Sequence, residues 1–270
     1  MRLLFLGDIV GRAGRTAVVE AVPDLRRRLN ADFVVVNGEN AAGGFGINEE
    51  ICLGLFNAGV DCITTGNHAF DQRDKIDVFD SERRLLRPVN YPKGAPGRGV
   101  GLYETQAGKR VLVINAMGRT FMDALDDPFA AVDRELEDCG LAMGCDAAIL
   151  DMHAEATSEK MAIAHYCDGR ASFVVGTHSH VPTADAQILP GGTAYQTDAG
   201  ACADYDSVIG MEKSEPISRF VRKVSTGRFN PAQGPATVCG VFVETDDATG
   251  LSLRIDPVRL GGRLKPAMPD

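Results

Sequence analysis

Short apolar runs alternate with helical patterns through the first part of the chain, and hairpin patterns take over after it. Arg2–Gly7 reads as an apolar strand. Thr16–Leu29 has apolar residues at helical spacing, with Pro23 marking a kink or a restart, because proline lacks the amide a helix interior needs. Asp32–Asn37, with Phe33-Val34-Val35-Val36 inside it, predicts a buried strand. Asn48–Asn57 predicts a helix opened by an Asn cap, and Val60–Thr65 a third strand. Strands that are apolar on both faces and joined by helices are expected to pair in parallel, with both faces covered.

Further along, Gly101–Gln106 and Arg110–Asn115 flank Ala107-Gly108-Lys109, a hairpin signal. Ala184–Leu189 and Thr193–Thr197 flank Pro190-Gly191-Gly192, and Thr237–Glu244 and Leu251–Val258 flank Thr245–Gly250. Between the hairpins, Pro128–Cys139 and Ser158–Cys167 predict helices, and Ala147–Met152 and Ser172–Gly176 predict strands. The sum is an α/β chain with two packed sheets and helices outside. No linker, repeat or low-complexity tract divides residues 1–270, so a single domain is expected.

Composition narrows the function. Hydrophobic residues make up 44% of the 270, which excludes a largely disordered chain. Lys and Arg number 28 against 37 Asp and Glu, a net charge of −9, so no strong nucleic-acid footprint is expected. No apolar run approaches the roughly 18 residues of a membrane span. Only four apolar residues separate Arg2 from Gly7-Asp8, too few for a secretory signal. Seven cysteines, an odd number with no CxxC pair, read as reduced thiols of a cytoplasmic protein. Assembly into a homo-oligomer stays open.

The chemistry gathers at the C-terminal ends of the predicted strands, where open α/β sheets bind ligands. These ends carry Gly7-Asp8, Asn37-Gly38-Glu39-Asn40, Gly66-Asn67-His68, Asp151-Met152-His153 and Gly176-Thr177-His178-Ser179-His180. Four of the five histidines occupy such ends; the fifth, His165, falls inside a predicted helix. Carboxylate and imidazole donors converging from five strand ends describe a metal site. The mixture suits Mn, Fe or Zn better than Mg or Ca, which prefer all-oxygen shells. His178 and His180 are two apart, so a turn there could aim each at a different ion, and two ions sharing one carboxylate would explain the number of donors. The glycines of Gly7–Gly14 are not spaced as in a dinucleotide-binding loop, and Asp8 has the wrong charge to face a pyrophosphate. Neither a Walker A motif nor a nucleophile elbow occurs, and Ser179 reads as a spacer between two ligands.

These blocks resemble the calcineurin-like metallophosphoesterases, whose ordered strand ends carry an Asp, a bridging carboxylate, Gly-Asn-His, a lone His and Gly-His-x-His. Here Val10 stands where a first-block His is usual, Glu39 replaces the bridging Asp, and Thr177 precedes His178. These departures are similar to those of a bacterial YmdB-type branch, as are Gly118–Phe129, His153–Lys160, Gly176–Asp185, Leu189–Asp198 and Asp206–Phe220; Ala201–Asp204 departs from that branch. The resemblance implies a four-layer αββα sandwich of two mixed sheets flanked by helices. It also implies a phosphodiesterase acting on 2′,3′-cyclic nucleotides with two metal ions per chain, iron first and manganese or zinc next. Asp8, Glu39, Asn40 and His180 would hold one ion, and Glu39, Asn67, His153 and His178 the other. A hydroxide shared by both ions would attack phosphorus. His68, beside ligand Asn67, would protonate the leaving oxygen. Arg12 and Arg15 are either phosphate contacts or solvated helix charges. Phosphomonoester hydrolysis and a nucleotide- or RNA-binding regulatory role are the alternatives.

Overall fold

In the computed structural model, which describes residues 1–225 and 227–269, the central strands are buried on both faces against different partners. Along β1 (Arg2–Leu6), Leu3 and Phe5 join a core shared with a second sheet, whereas Leu4 and Leu6 pack with helical residues. In β2 (Phe33–Asn37), Phe33 and Val35 join the shared core, and Val34 and Val36 the outer one. This double burial is why these strands read as unbroken apolar runs.

The first sheet has the order β10 (Ala203–Asp204), β11 (Ala236–Thr245), β1, β2, β3 (Cys62–Thr64), with β12 (Ser252–Leu260) also paired to β11. β1, β2 and β3 are parallel, with Leu3 opposite Phe33 and Val35 opposite Cys62. β11 returns antiparallel to β1, setting Val241 against Phe5. The second sheet runs β4 (Val100–Glu104), β5 (Arg110–Met117), β6 (Ala147–His153), β7 (Phe173–Thr177), β9 (Ala194–Gln196), β8 (Gln187–Ile188). Its inner strands are parallel, and β4 and β8 are antiparallel edges. Helices α1 (Gly11–Arg28) and α2 (Glu49–Asn57) cover the first sheet. The short α3 (Val78–Ser81) joins the same outer core, and α4 (Pro128–Asp138) and α5 (Thr157–Tyr166) cover the second sheet. The expected αββα sandwich of two mixed sheets is therefore present, as are the three hairpins.

Local differences have local causes. α1 begins at Gly11, not Thr16, because Gly11 takes φ +60° and turns the chain straight out of β1. Gly14 packs so close to the Cys202 carbonyl that a Cβ would lie 2.1 Å from it. Pro23 sits within α1 without ending it, since buried Val18, Val22 and Leu25 hold the helix to the sheet on both sides. No helix is expected over Ser214–Arg222, yet α6 forms there. Its Pro216 falls in the first turn, where a missing amide costs little, and Glu215 pairs with Arg219 one turn on, at 2.7 Å. No helix among the described residues is long and apolar enough to cross a membrane.

Candidate metal centre

Because β1, β2 and β3 run parallel, their C-terminal ends share one edge, and the ends of β6 and β7 meet it from the other sheet. Asp8, Glu39, Asn40, His153 and His180 are buried there, with Asp8 and His153 fully inaccessible. His153 Nε2 lies 3.1 Å from Glu39 Oε2, 3.0 Å from Asn67 Oδ1 and 3.1 Å from His178 Nδ1. On the other side, His180 Nε2 lies 3.2 Å from Asn40 Oδ1 and 3.8 Å from Asp8 Oδ1. The donors form two groups, Glu39–His153–His178 and Asp8–Glu39–His180, and Glu39 belongs to both.

Hydrogen bonds alone do not account for this crowding. A single proton on His153 Nε2 can serve only one of its three neighbours. Donor atoms about 3.0 Å apart are instead spaced as neighbouring ligands would be around a shared ion at the usual bond length of about 2.1 Å to nitrogen and oxygen. The residues present therefore fit a cation.

Each imidazole is oriented by its other nitrogen. His153 Nδ1 bonds Thr177 Oγ1 at 2.9 Å, and Thr177 donates onward to Asp151 Oδ1 at 2.7 Å. Asp151 is fully buried and also accepts from Asn37 Nδ2 and Thr64 Oγ1. His180 Nδ1 donates to the Ile209 carbonyl at 2.7 Å, and His178 Nε2 faces Glu155 at 3.2 Å. In each case the nitrogen aimed into the cluster is left free to accept a metal.

The turn carrying His178 and His180 sends them to different groups. Both take left-handed backbone, with φ of +92° and +63°, at a cost of about 1–3 kcal/mol each. The residue between them fixes the turn. Ser179 donates through its amide (3.1 Å) and its hydroxyl (2.6 Å) to Asp198 Oδ2. Asp198 pairs with Lys160 Nζ at 2.9 Å, and both side chains are completely buried. Ser179 is thus an anchor and not the spacer expected from the sequence.

Charge is tightly balanced. Burial pushes the Glu39 carboxyl up, but His153, His68 and His178 outweigh it and hold it at about 2. Burial pushes His153 down, yet Glu39, Asp8 and Asp151 hold it up at about 9. His178 is lowered to about 3 by burial and by His153. Burial raises Asp8 to about 6 against the pull of His180 and His153. In the metal-free chain, a proton on His153 holds the place a cation would take among these carboxylates.

His68 stands beside the groups. Its amide donates to Glu39 Oε2 at 3.3 Å, its Nδ1 lies 2.7 Å from Asp71 Oδ2, and its ring meets the Phe45 edge at 5.0 Å. With His178 and His180 it lines a cavity of about 290 Å³ whose remaining wall is largely apolar. Arg12 and Arg15 lie elsewhere. Arg15 donates to the Ala41 carbonyl at 2.7 Å, and both arginines border a separate surface hollow, which leaves them as helix charges. His165 is exposed on α5. The Ala201–Asp204 stretch backs the first donor, where Cys202 N donates to the Asp8 carbonyl at 2.8 Å.

Sequence reasoning missed Asp71, Asp151, Thr177, Lys160 and Asp198 as members of the site. Asp71 and Thr177 had a signal, Asp71 three residues after a donor block and Thr177 inside one. Asp151 had one too, two residues before His153 in its own strand-end block; Lys160 and Asp198 reach the site only through tertiary contacts.

The YmdB-like protein family matches residues 4–258. A 2′,3′-cyclic-nucleotide 2′-phosphodiesterase of Bacillus subtilis is 45% identical over 258 residues, 96% of each chain. A crystal structure of a hypothetical protein from Thermus thermophilus superposes with a TM-score of 0.90 at 43% identity, covering 97% of this chain and all of that one. A novel phosphatase from Mycoplasma pneumoniae gives 0.89 at 32%, covering 97% of this chain and 93% of that one.

Proposed function

The chain belongs to the YmdB-like protein family, and from that premise we propose that it is a metal-dependent phosphodiesterase opening 2′,3′-cyclic nucleotides to nucleoside monophosphates. The observation that carries the reading is the shared carboxylate: two donor groups meet at Glu39 beside a cavity lined by His68. Asp8, Glu39, Asn40 and His180 would hold one ion; Glu39, Asn67, His153 and His178 would hold the second. The imidazole donors disfavour magnesium and calcium, which prefer all-oxygen shells, and leave iron, manganese or zinc; the family resemblance puts iron first. Metal bound there would supply a water of lowered pKa as nucleophile and neutralise charge on the phosphoryl group.

The chain's own residues do the rest. Thr177 and Ile209 fix the rings of His153 and His180. His68 gives a proton to the departing ribose oxygen, with Asp71 holding the ring in place through its Nδ1. Residues 1–270 act as one domain, because donors come from both sheets. The net charge of −9 repels long polyanions, so small diesters are preferred to nucleic acid. All seven cysteines are free, six of them buried, which suits a reducing cytoplasm.

The test is a panel of mono-, di- and cyclic phosphate esters given to metal-replete protein, with products separated chromatographically. Cyclic nucleotides should yield monophosphates and little free phosphate. Free phosphate as the main product from every ester would replace this reading with a phosphomonoesterase.

A further inference from the structure

The cavity beside the donor groups has two ends of different chemistry. One end is Glu39, Asn40 and the three histidines, with Phe45 packed on His68; the other is walled by Ile209, Met211, Arg219, Phe220 and Phe229. The phosphodiester chemistry proposed above uses only the first end. The second is apolar surface left open beside the first, a costly arrangement unless a ligand covers it.

Three features shape this second end. Arg219 looks like a phosphate-binding arm, but its Nε donates to Glu215 at 2.7 Å and its Nη2 to Ser225 Oγ and the Gly227 carbonyl at 3.0 Å each. Its guanidinium sits over the Phe229 ring, with Cζ 3.9 Å from the centroid, so it serves as part of the wall. Ile209 is β-branched yet takes φ +49°, a strained backbone that leaves its side chain 54% exposed at the cavity. Its carbonyl holds His180, so the same residue borders both ends. Phe220 is 74% exposed on α6 and reaches the cavity without core packing to hold it.

Flat aromatic and guanidinium faces with few open hydrogen-bonding edges suit a flat aromatic ligand gripped by its faces. We propose that this end is a nucleobase subsite that stacks the base without reading its edge, so purine 2′,3′-cyclic nucleotides are taken ahead of pyrimidine ones, and both ahead of a cyclic ester without a base. This rests on the phosphodiesterase reading and adds the determinant of its specificity.

The experiment measures kcat and KM of the metal-replete full chain on 2′,3′-cyclic AMP, GMP, CMP and UMP, and on glycerol cyclic phosphate, which has no base. Adenosine is added as a competitor against a bis-nitrophenyl ester. The same set is repeated with Phe220→Ala, whose exposure makes misfolding no concern, and with Phe229→Leu, which keeps apolar volume but removes the ring. The subsite predicts that AMP and GMP esters lie within a few-fold of each other and above CMP and UMP. It predicts that the base-free ester has the lowest kcat/KM. Phe220→Ala should raise KM for the AMP ester by about 5- to 150-fold, the range for one base stacked on an aromatic ring, with a much smaller effect on the base-free ester. Adenosine should compete more weakly in both variants. Equal kcat/KM for base-bearing and base-free esters, or equal losses on both, would overturn the subsite and leave the phosphodiesterase reading standing. Failure to open any cyclic ester would remove that reading, and the subsite with it.

Discussion

Replacing His68 with alanine separates its role as an acid from any role in holding the metal. A ribose alkoxide is a poor leaving group and needs a proton; a nitrophenolate leaves readily as an anion. Positioned acid catalysis contributes about 10²- to 10⁴-fold, or roughly 2.7–5.4 kcal/mol of barrier, and that is the expected loss on 2′,3′-cyclic AMP. The loss on a bis-nitrophenyl ester should be under about tenfold. Metal content should hold, because His68 reaches Glu39 through its backbone amide, a contact that survives the substitution. The structure also sets the size of Asp71's contribution. Its contact with His68 is 2.7 Å, but the two side chains are 27% and 46% exposed, and an exposed pair is worth about 0.2–1 kcal/mol. Asp71→Asn should therefore cost no more than about fivefold on the cyclic nucleotide. Steady-state rates on both substrates, with elemental analysis of each variant, check these values. Equal losses on the two esters, together with depleted metal, would refute the general-acid assignment.

Three further outcomes follow from the surrounding network. Thr177→Val removes the acceptor that orients His153 and one donor to buried Asp151, so metal affinity should fall about 10- to 100-fold in a calorimetric titration, with the fold intact. Lys160→Met leaves Asp198 buried without its cation, which should cost about 3–5 kcal/mol in denaturant unfolding; an unchanged midpoint would show that the pair does not hold the His178–His180 turn. His153 is held up at about 9 in the metal-free chain and must lose its proton to ligate. Metal affinity should therefore rise about tenfold per pH unit up to about pH 9 and level off above it, and more steeply still below about pH 6, where Asp8 must also ionise. A manganese affinity that is flat between pH 7 and pH 9 would contradict this.

What the sequence made legible is what local physics determines. Phe33–Val36 is apolar on both faces because it is buried on both, so the run itself reports a parallel, helix-covered strand. The donors were visible because a strand that ends in a turn must place its last polar residues on the sheet edge. Asn48 was visible as a cap, and its side chain does accept from Ile51 N at 3.0 Å. The start of α1 was hidden because Gly11 and Gly14 read as loop when their smallness serves close packing. Ser179 carried no local sign of its role, since Asp198 lies nineteen residues away and Lys160 another nineteen on the other side. The arrangement of His178 and His180 needed backbone angles that pattern alone does not specify.

Metal content measured in two variants side by side tests the shared carboxylate at the centre of this account. Metal-replete wild-type protein should carry about two ions per chain. Glu39→Gln removes a negative charge from both donor groups and should lose both ions along with cyclic-nucleotide turnover. Asn40→Ala removes a neutral ligand from one group and should lose one ion at most. Equal metal content in the two variants, or a fully active wild-type enzyme with a single ion, would contradict the bridging role of Glu39.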